Sequence, residues 1–216
     1  PQVQFLEIDF LNDNINVLLD DDIKAAYYLI HSMSSSNSNF DDLEKTCALN
    51  FKKIVENTNI EQVLYLSGIT NEKELSKHLS SRKQVENALA SKKYALTTLK
   101  AGIIVGSGSA SFEIIRDLTE KLPIMVTPKW LNTKTQPIGI RNVIEFLQKS
   151  LLKKELYNTS FDIYGPDILT YKKMLLIFAR KRKLKRTILT VPVMTPKLSS
   201  YWLYFVTSTS YRLAIS

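Results

Sequence analysis

Short apolar runs alternate with stretches of helical period along the first half of the sequence, and no other feature narrows the possible folds as far. Val3 to Ile8 alternates apolar with polar residues and ends at Asp9, which predicts a strand. Ala26 to Ile30 is continuously apolar and ends at His31-Ser32, the pattern of a strand covered on both faces. Between them Asn12 to Lys24 is acidic, and Asp20, Asp21 and Asp22 are placed to favour the N-terminus of a short helix. After a Ser-rich loop, Ser34 to Asn39, the residues Leu43, Cys47, Phe51, Ile54 and Val55 recur at helical intervals, with Asp41 and Asp42 in the first turn; this predicts a helix over 40–57. Gln62 to Leu66 predicts a short buried strand running into Ser67-Gly68, 74–91 a second long helix, and 95–105 another buried strand.

Parallel strands need crossover connections, usually helical, and such crossovers are overwhelmingly right-handed. The order strand, helix, strand, helix, strand therefore predicts an α/β fold built on a doubly wound parallel sheet. Beyond Phe112 the pattern loosens into a helix to about Lys121, a stretch punctuated by Pro123, Pro128 and Pro137, a helix over 140–152, and a strand-like F-D-I-Y-G. A helix over 171–183 and the apolar T-I-L-T-V-P-V follow. This part reads as a small C-terminal α+β lobe, so the chain divides into a partial core over 1–111 and a lobe over 112–216, where further core elements have room.

With 216 residues and 44% hydrophobic content, the chain can bury a sizeable core. One Cys, Cys47, rules out an intramolecular disulfide, and with two His there is too little material for a zinc site; a reducing cytoplasm and no metal are expected. The formal charge of +8 draws on a late cluster, Arg180, Lys181, Arg182, Lys183, Lys185 and Arg186. That run reads as a solvated face complementing a helix C-terminus, with a nucleic-acid surface as the less favoured alternative. No stretch approaches the roughly 20 apolar residues of a membrane-spanning helix. Pro1 to Ile8 lacks the basic region and apolar run of a signal peptide. The aromatic tail, Tyr201, Trp202, Tyr204 and Phe205, reads as a buried helix or an interface, and a homodimer is one expectation from it.

In doubly wound sheets ligands lie outside the carboxyl ends of the strands, which singles out Asp9, His31-Ser32, Ser67-Gly68 and the loop 102–111. Gly106-Ser107-Gly108-Ser109-Ala110-Ser111 partly suits a phosphate-binding fingerprint. However, Ser111 stands where a third Gly or Ala belongs, and no acidic residue ends a strand about 20 residues on. The stretch is therefore either the loop at a cofactor's reactive end or a helix cap.

The ordered motifs D-F-L-N, Y-Y-L-I-H-S-M, V-L-Y-L-S-G-I, H-L-S-S-R-K-Q-V-E and L-K-A-G-I-I-V-G-S-G-S-A-S-F resemble those of atypical short-chain dehydrogenase/reductases, a group of NAD(P)-binding proteins that includes NmrA-like and complex I accessory members. Later P-K-W, Q-P-I, Y-G-P-D-I-L-T-Y and S-Y-W-L-Y-F-V-T-S-T-S-Y extend the resemblance along nearly the whole chain. It implies a Rossmann-type sheet and NAD or NADP as cofactor. Pro1 to Asp9 takes the place of the third strand, and the Gly-rich first βαβ unit has no counterpart before it.

Residue by residue, the resemblance places Asp9 beside the adenine, His31 and Ser32 near the ribose, and Ser67, followed by Gly68, at the catalytic Ser/Thr position. His78 and Arg82 stand where the family carries the Tyr and Lys of Tyr-x-x-x-Lys, and Gly102, Ile103 and Ile104 would meet the nicotinamide through backbone groups. His can exchange a proton near neutrality, whereas Arg can hold a ribose but cannot act as a base. The implied function is a reductase or dehydrogenase acting on a small carbonyl or alcohol substrate. A non-catalytic NAD(P)-binding sensor or structural module is the alternative, and an ordinary surface pair is the other reading of His78 and Arg82.

Overall fold

The computed structural model describes residues 3–12, 15, 17, 19–31, 40–69 and 77–191. They fall into two compact units, Pro1–Lys100 with Glu145–Asp162, and Ala101–Ile144 with Ile163–Ser216.

The first unit is built on a four-stranded sheet in the order β1-β2-β3-β8, with β1 Ala25–Tyr28, β2 Gln62–Gly68, β3 Ala95–Ala101 and β8 Thr159–Ile163. β1 and β2 run parallel, Ala25 opposite Gln62 and Tyr28 opposite Tyr65. Two crossover helices join the first three strands, α1 Phe40–Val55 and α2 Lys77–Leu89. Basic Lys52 and Lys53 end α1, matching its dipole. On one face of the sheet Tyr28, Val63, Tyr65 and Leu96 pack against Ala48, Val55, Val85, Ala88 and Leu89 of the two helices. On the other face the chain around the end of α4, Ile140–Ser150, is tied down through the Tyr27 hydroxyl, which donates to Leu147 O at 3.3 Å, and the buried Gln62, which donates to Ser150 O at 3.1 Å. A sheet with helical segments on both faces is the predicted α/β architecture.

Two expectations fail in this unit. Val3 to Ile8 forms no strand; the segment is irregular and Phe5 is 92% exposed. Alternation supplies a face to bury, but the ladder must come from a neighbour, and this segment does not take the outer edge of β1. Nor do the described residues of 12–24 form a helix at Asp20 to Asp22. Instead Ile23 N donates to Asp20 O in a turn that leads into β1.

The expected strand over 95–105 is two strands. It breaks at Gly102 and Ile103, and β4, Ile104–Val105, pairs in parallel with β7, Ile138–Gly139, in the second unit. That unit also pairs β5, Ile124–Pro128, with β10, Thr187–Val191, in parallel, and β6, Lys134–Thr135, with β9, Leu169–Thr170, antiparallel. Helices α3, Ala110–Lys121, and α5, Tyr171–Lys181, supply Ile115, Leu118, Met174 and Leu175 to a core completed by Met125, Leu131 and Ile188. Part of the basic cluster is spent here. Arg182 pairs with Glu120 at 3.0 Å, and Arg186 donates to the carbonyls of Thr119 and Glu120, closing the C-terminal turn of α3 where a cation opposes the helix dipole.

Candidate functional site

Helices that return between parallel strands begin at the carboxyl edge of the sheet, so the first turns of α1 and α2 share that edge with the ends of β1 and β2. Four polar groups converge there. His31 follows β1 by three residues, Glu44 lies in the second turn of α1, and Ser81 and Arg82 lie in the second turn of α2. Glu44 Oε1 stands 3.0 Å from His31 Nδ1, Glu44 Oε2 accepts from the Ser81 hydroxyl at 2.5 Å, and Arg82 Nη2 stands 2.8 Å from His31 Nε2. Glu44 is 4% exposed and Ser81 fully buried, whereas the His31 side chain keeps 28% of its surface.

β2 adds two hydroxyls on the same side. Tyr65 and Ser67 alternate with buried Leu64, and the side chains of Ser67 and Arg82 lie near enough to the Tyr65 hydroxyl to act on its ionisation. Burial pushes the Tyr65 hydroxyl above the usual tyrosine range, and the Ser67 and Arg82 contacts oppose that rise because they favour the phenolate. The result is a polar cluster, Glu44, His31, Arg82, Tyr65, Ser67, that runs from buried Glu44 and Ser81 out to exposed His31.

Of the residues expected from the sequence, His31, Ser67 and Arg82 are brought together in this way. Asp9 lies in an exposed turn, its carboxylate accepting from Leu11 N at 3.0 Å, and that turn is pinned to α1 by Asn50, which donates to Phe10 O at 3.0 Å. Gly68 ends β2. The backbone of His78 lies in the first turn of α2, four residues before Arg82; Ser32 lies outside the described residues, as does the aromatic tail from Tyr201. Gly102, Ile103 and Ile104 belong to the second unit, where Ile103 O accepts from Ile138 N at 2.9 Å.

The loop 106–111 leads into α3 with Ser109 at the N-cap. Gly108 adopts φ +84° and its N–H donates to Glu113 Oε1 at 3.1 Å, while the Ser109 hydroxyl donates to Ile104 O at 2.7 Å and makes no capping bond to the helix. A groove of about 290 Å³ beside α1, lined by Thr46, Asn50, Lys53 and their neighbours, includes no residue of the cluster. A groove of about 500 Å³ along α3 and α5 includes none either.

No family model and no curated protein matches the chain in sequence. Solved structures do match it. RMD from Pseudomonas aeruginosa, complexed with NADPH, superposes with a TM-score of 0.69 at 10% identity, over 97% of this chain and 85% of that one. UDP-N-acetylglucosamine 4-epimerase from Bacillus cereus matches at 0.62 and 18% identity, over 96% and 79%. The triphenylmethane reductase of Citrobacter sp. matches at 0.68 and 13% identity, over 90% and 63%. The chain has the α/β fold of these reductase and epimerase structures.

In open α/β sheets ligands lie outside the carboxyl ends of the strands, and the His31–Arg82 cluster sits on that edge. Three of its members were not singled out from the sequence. Glu44 shares the helical face of Ala48, Phe51 and Val55, at spacings of four, seven and eleven, and Ser81 shares that of Val85 and Ala88. A polar residue on the buried seam of a helix was the available signal for both. Tyr65 lay inside an apolar strand and carried none.

Proposed function

We propose that this chain binds NAD or NADP at the carboxyl edge of β1 and β2 and uses it in oxidation or reduction of a small carbonyl or alcohol substrate. The observation that supports this reading most is the polar cluster of His31, Arg82 and Ser67, placed where the fold holds its ligand. Its chemistry suits a ribose: Arg82 is a fixed fork of donors, His31 and Ser67 can each donate or accept, and vicinal hydroxyls need both. When bound, the dinucleotide supplies the hydride donor or acceptor. Ser67 and Arg82 would hold the ribose and the substrate oxygen in place, and His78 would exchange the proton there. Arg82 holds but cannot exchange one. Asp9, Ser32, Gly68, Gly102, Ile103 and Ile104 are the further cofactor contacts in this proposal. Residues 1–111 serve as the dinucleotide-binding part and 112–216 as the substrate lobe.

The direct test is titration of the protein with NADH and with NADPH, followed by intrinsic and nucleotide fluorescence. Saturable binding, weakened about tenfold or more in Arg82→Ala by loss of charge-assisted hydrogen bonds, is the expected result. Absence of binding by the unaltered protein overturns the reading. Turnover unchanged in His78→Ala removes His78 from the mechanism.

One observation favours the non-catalytic alternative. Tyr65, the tyrosine of this cluster, is 2% exposed, so it is poorly placed to meet a substrate. Nucleotide binding without oxidation or reduction across a panel of carbonyl and alcohol substrates would decide for a sensor or structural module.

Among the described residues no helix is long and apolar enough to cross a membrane. A cytoplasmic setting, where buried Cys47 stays reduced, suits the proposal. A second copy of this chain is the partner proposed for the aromatic residues 201–205, and sedimentation showing monomer alone would sink that part.

A further inference from the structure

The seam between α1 and α2 carries a carboxylate where a close-packed helix pair would ordinarily hold an aliphatic side chain. Glu44 lies in line with Ala48, Phe51 and Val55, and Ser81 with Val85 and Ala88. Burying a carboxylate is costly unless its oxygens are met by donors. Three titratable groups that feel the Glu44 charge, Tyr28 on β1, Tyr65 on β2 and Cys47 on α1, are pushed up by burial and remain neutral, so none answers it. Among the described residues, Ser81 meets one of its oxygens and His31 the other.

These partners leave His31 one neutral arrangement. An ionised Glu44 only accepts, so the nitrogen 3.0 Å from it, Nδ1, must carry the hydrogen. Arg82 only donates, so the nitrogen 2.8 Å from it, Nε2, must offer its lone pair. An acceptor at one end and a donor at the other thus polarise the imidazole, and the Nε2–H tautomer would set a lone pair against the carboxylate and a hydrogen against the guanidinium. Arg82 also interrupts any proton path from Glu44 toward Tyr65 and Ser67, because guanidinium does not give up its proton. The role of Glu44 is therefore to hold and orient.

We propose that Glu44 is the positioning residue of this site: from the seam of α1 and α2 it fixes His31 as the Nδ1–H tautomer, and through His31 it aims the Arg82 guanidinium. Glu44 itself touches no ligand. The contribution to nucleotide binding rests on the function proposed above, whereas the tautomer is a property of the protein without ligand. The two are tested separately.

Correlation of imidazole carbon-bound protons with ring nitrogens, in protein labelled with ¹⁵N and free of nucleotide near neutral pH, reads the tautomer directly. The sequence has two His, and His31→Gln identifies the signals of His31 by their loss. The expected spectrum of the unaltered protein has Nδ1 protonated and Nε2 not. Either a predominant Nε2–H form or a doubly protonated ring overturns the proposal, even if no variant folds. Glu44→Gln keeps the shape but offers one acceptor oxygen to two donors; it is expected to shift His31 toward the Nε2–H form and to weaken NADH and NADPH binding about tenfold, the loss of roughly one charge-assisted hydrogen bond. A folded Glu44→Gln protein with the parental His31 spectrum also overturns it. Failure of the unaltered protein to bind either nucleotide would remove the proposed function while leaving the tautomer assignment to stand or fall on the spectrum.

Discussion

Gln62 begins β2 fully buried, and its amide is used from both ends. Nε2 donates to Thr97 Oγ1 at 2.8 Å and to Ser150 O at 3.1 Å, while Oε1 accepts from Leu152 N; Thr97 in turn donates to Leu156 O at 2.9 Å. One side chain thereby satisfies the backbone where α4 ends and the chain turns toward β8. Gln62→Leu removes those partners without removing the groups they served, and each buried orphan costs about 1–3 kcal/mol. The expected loss is about 2–4 kcal/mol in urea unfolding, and a loss below about 1 kcal/mol would show that solvent replaces the amide. Thr119 is the opposite case. Its hydroxyl is buried and meets no hydrogen-bond partner among the described residues. Thr119→Val keeps the shape and removes the orphan, so thermal unfolding should show unchanged or raised stability, by up to about 1 kcal/mol. A fall of that size would mean that the hydroxyl is bonded in solution.

At the scale of elements, two glycines in the second unit are needed for different reasons. Gly108, just before the N-cap of α3, has φ +84° with open space where a Cβ would go, so only conformation resists substitution. Gly165, just after β8, has an ordinary φ, but a Cβ there would lie 2.2 Å from Pro137 O, the carbonyl that accepts the Gly165 N–H at 3.1 Å. Gly108→Ala should cost about 1 kcal/mol and Gly108→Asn less, because Asn tolerates the left-handed region. Gly165→Ala should cost about 2 kcal/mol or more, and Gly165→Asn no less, since backbone and not a flexible side chain must move. Thermal melts of the four variants separate the two causes, and a Gly165→Ala protein as stable as the parent would contradict the steric account.

For the whole molecule, buried acids of high ordinary value set the pH limit. Burial pushes the hydroxyls of Tyr28, Tyr65 and Tyr94 and the thiol of Cys47 above ordinary values of 10.0 and 9.0. In the unfolded chain these groups ionise at their ordinary values, earlier than in the folded one. Their contribution is therefore complete at neutral pH and is lost as pH rises through 9.0 for the thiol and 10.0 for the tyrosines. Unfolding free energy should fall between about pH 9 and pH 11, with tyrosinate absorbance appearing together with loss of structure. Tyrosinate formed at its ordinary value in a still folded protein would show that these hydroxyls are open to water.

The alternation of apolar runs and helical periods located β1, α1, β2, α2 and β3 to within a few residues, because the period of burial is written locally in each element. The strand ends it pointed to included His31 and Ser67, and the resemblance added Arg82. What depended on a neighbour was not legible. Val3 to Ile8 has a strand's alternation and no partner strand, while Ile104 and Val105 leave the line of β3 because Ile138 and Gly139 offer them a ladder. In one dimension Glu44 is legible only as a polar residue in line with the apolar face of a helix. It becomes the base of the site only when Ser81, 37 residues later, and His31, 13 residues earlier, are folded against it, since a hydrogen bond needs atoms about 3 Å apart and sequence records only their order.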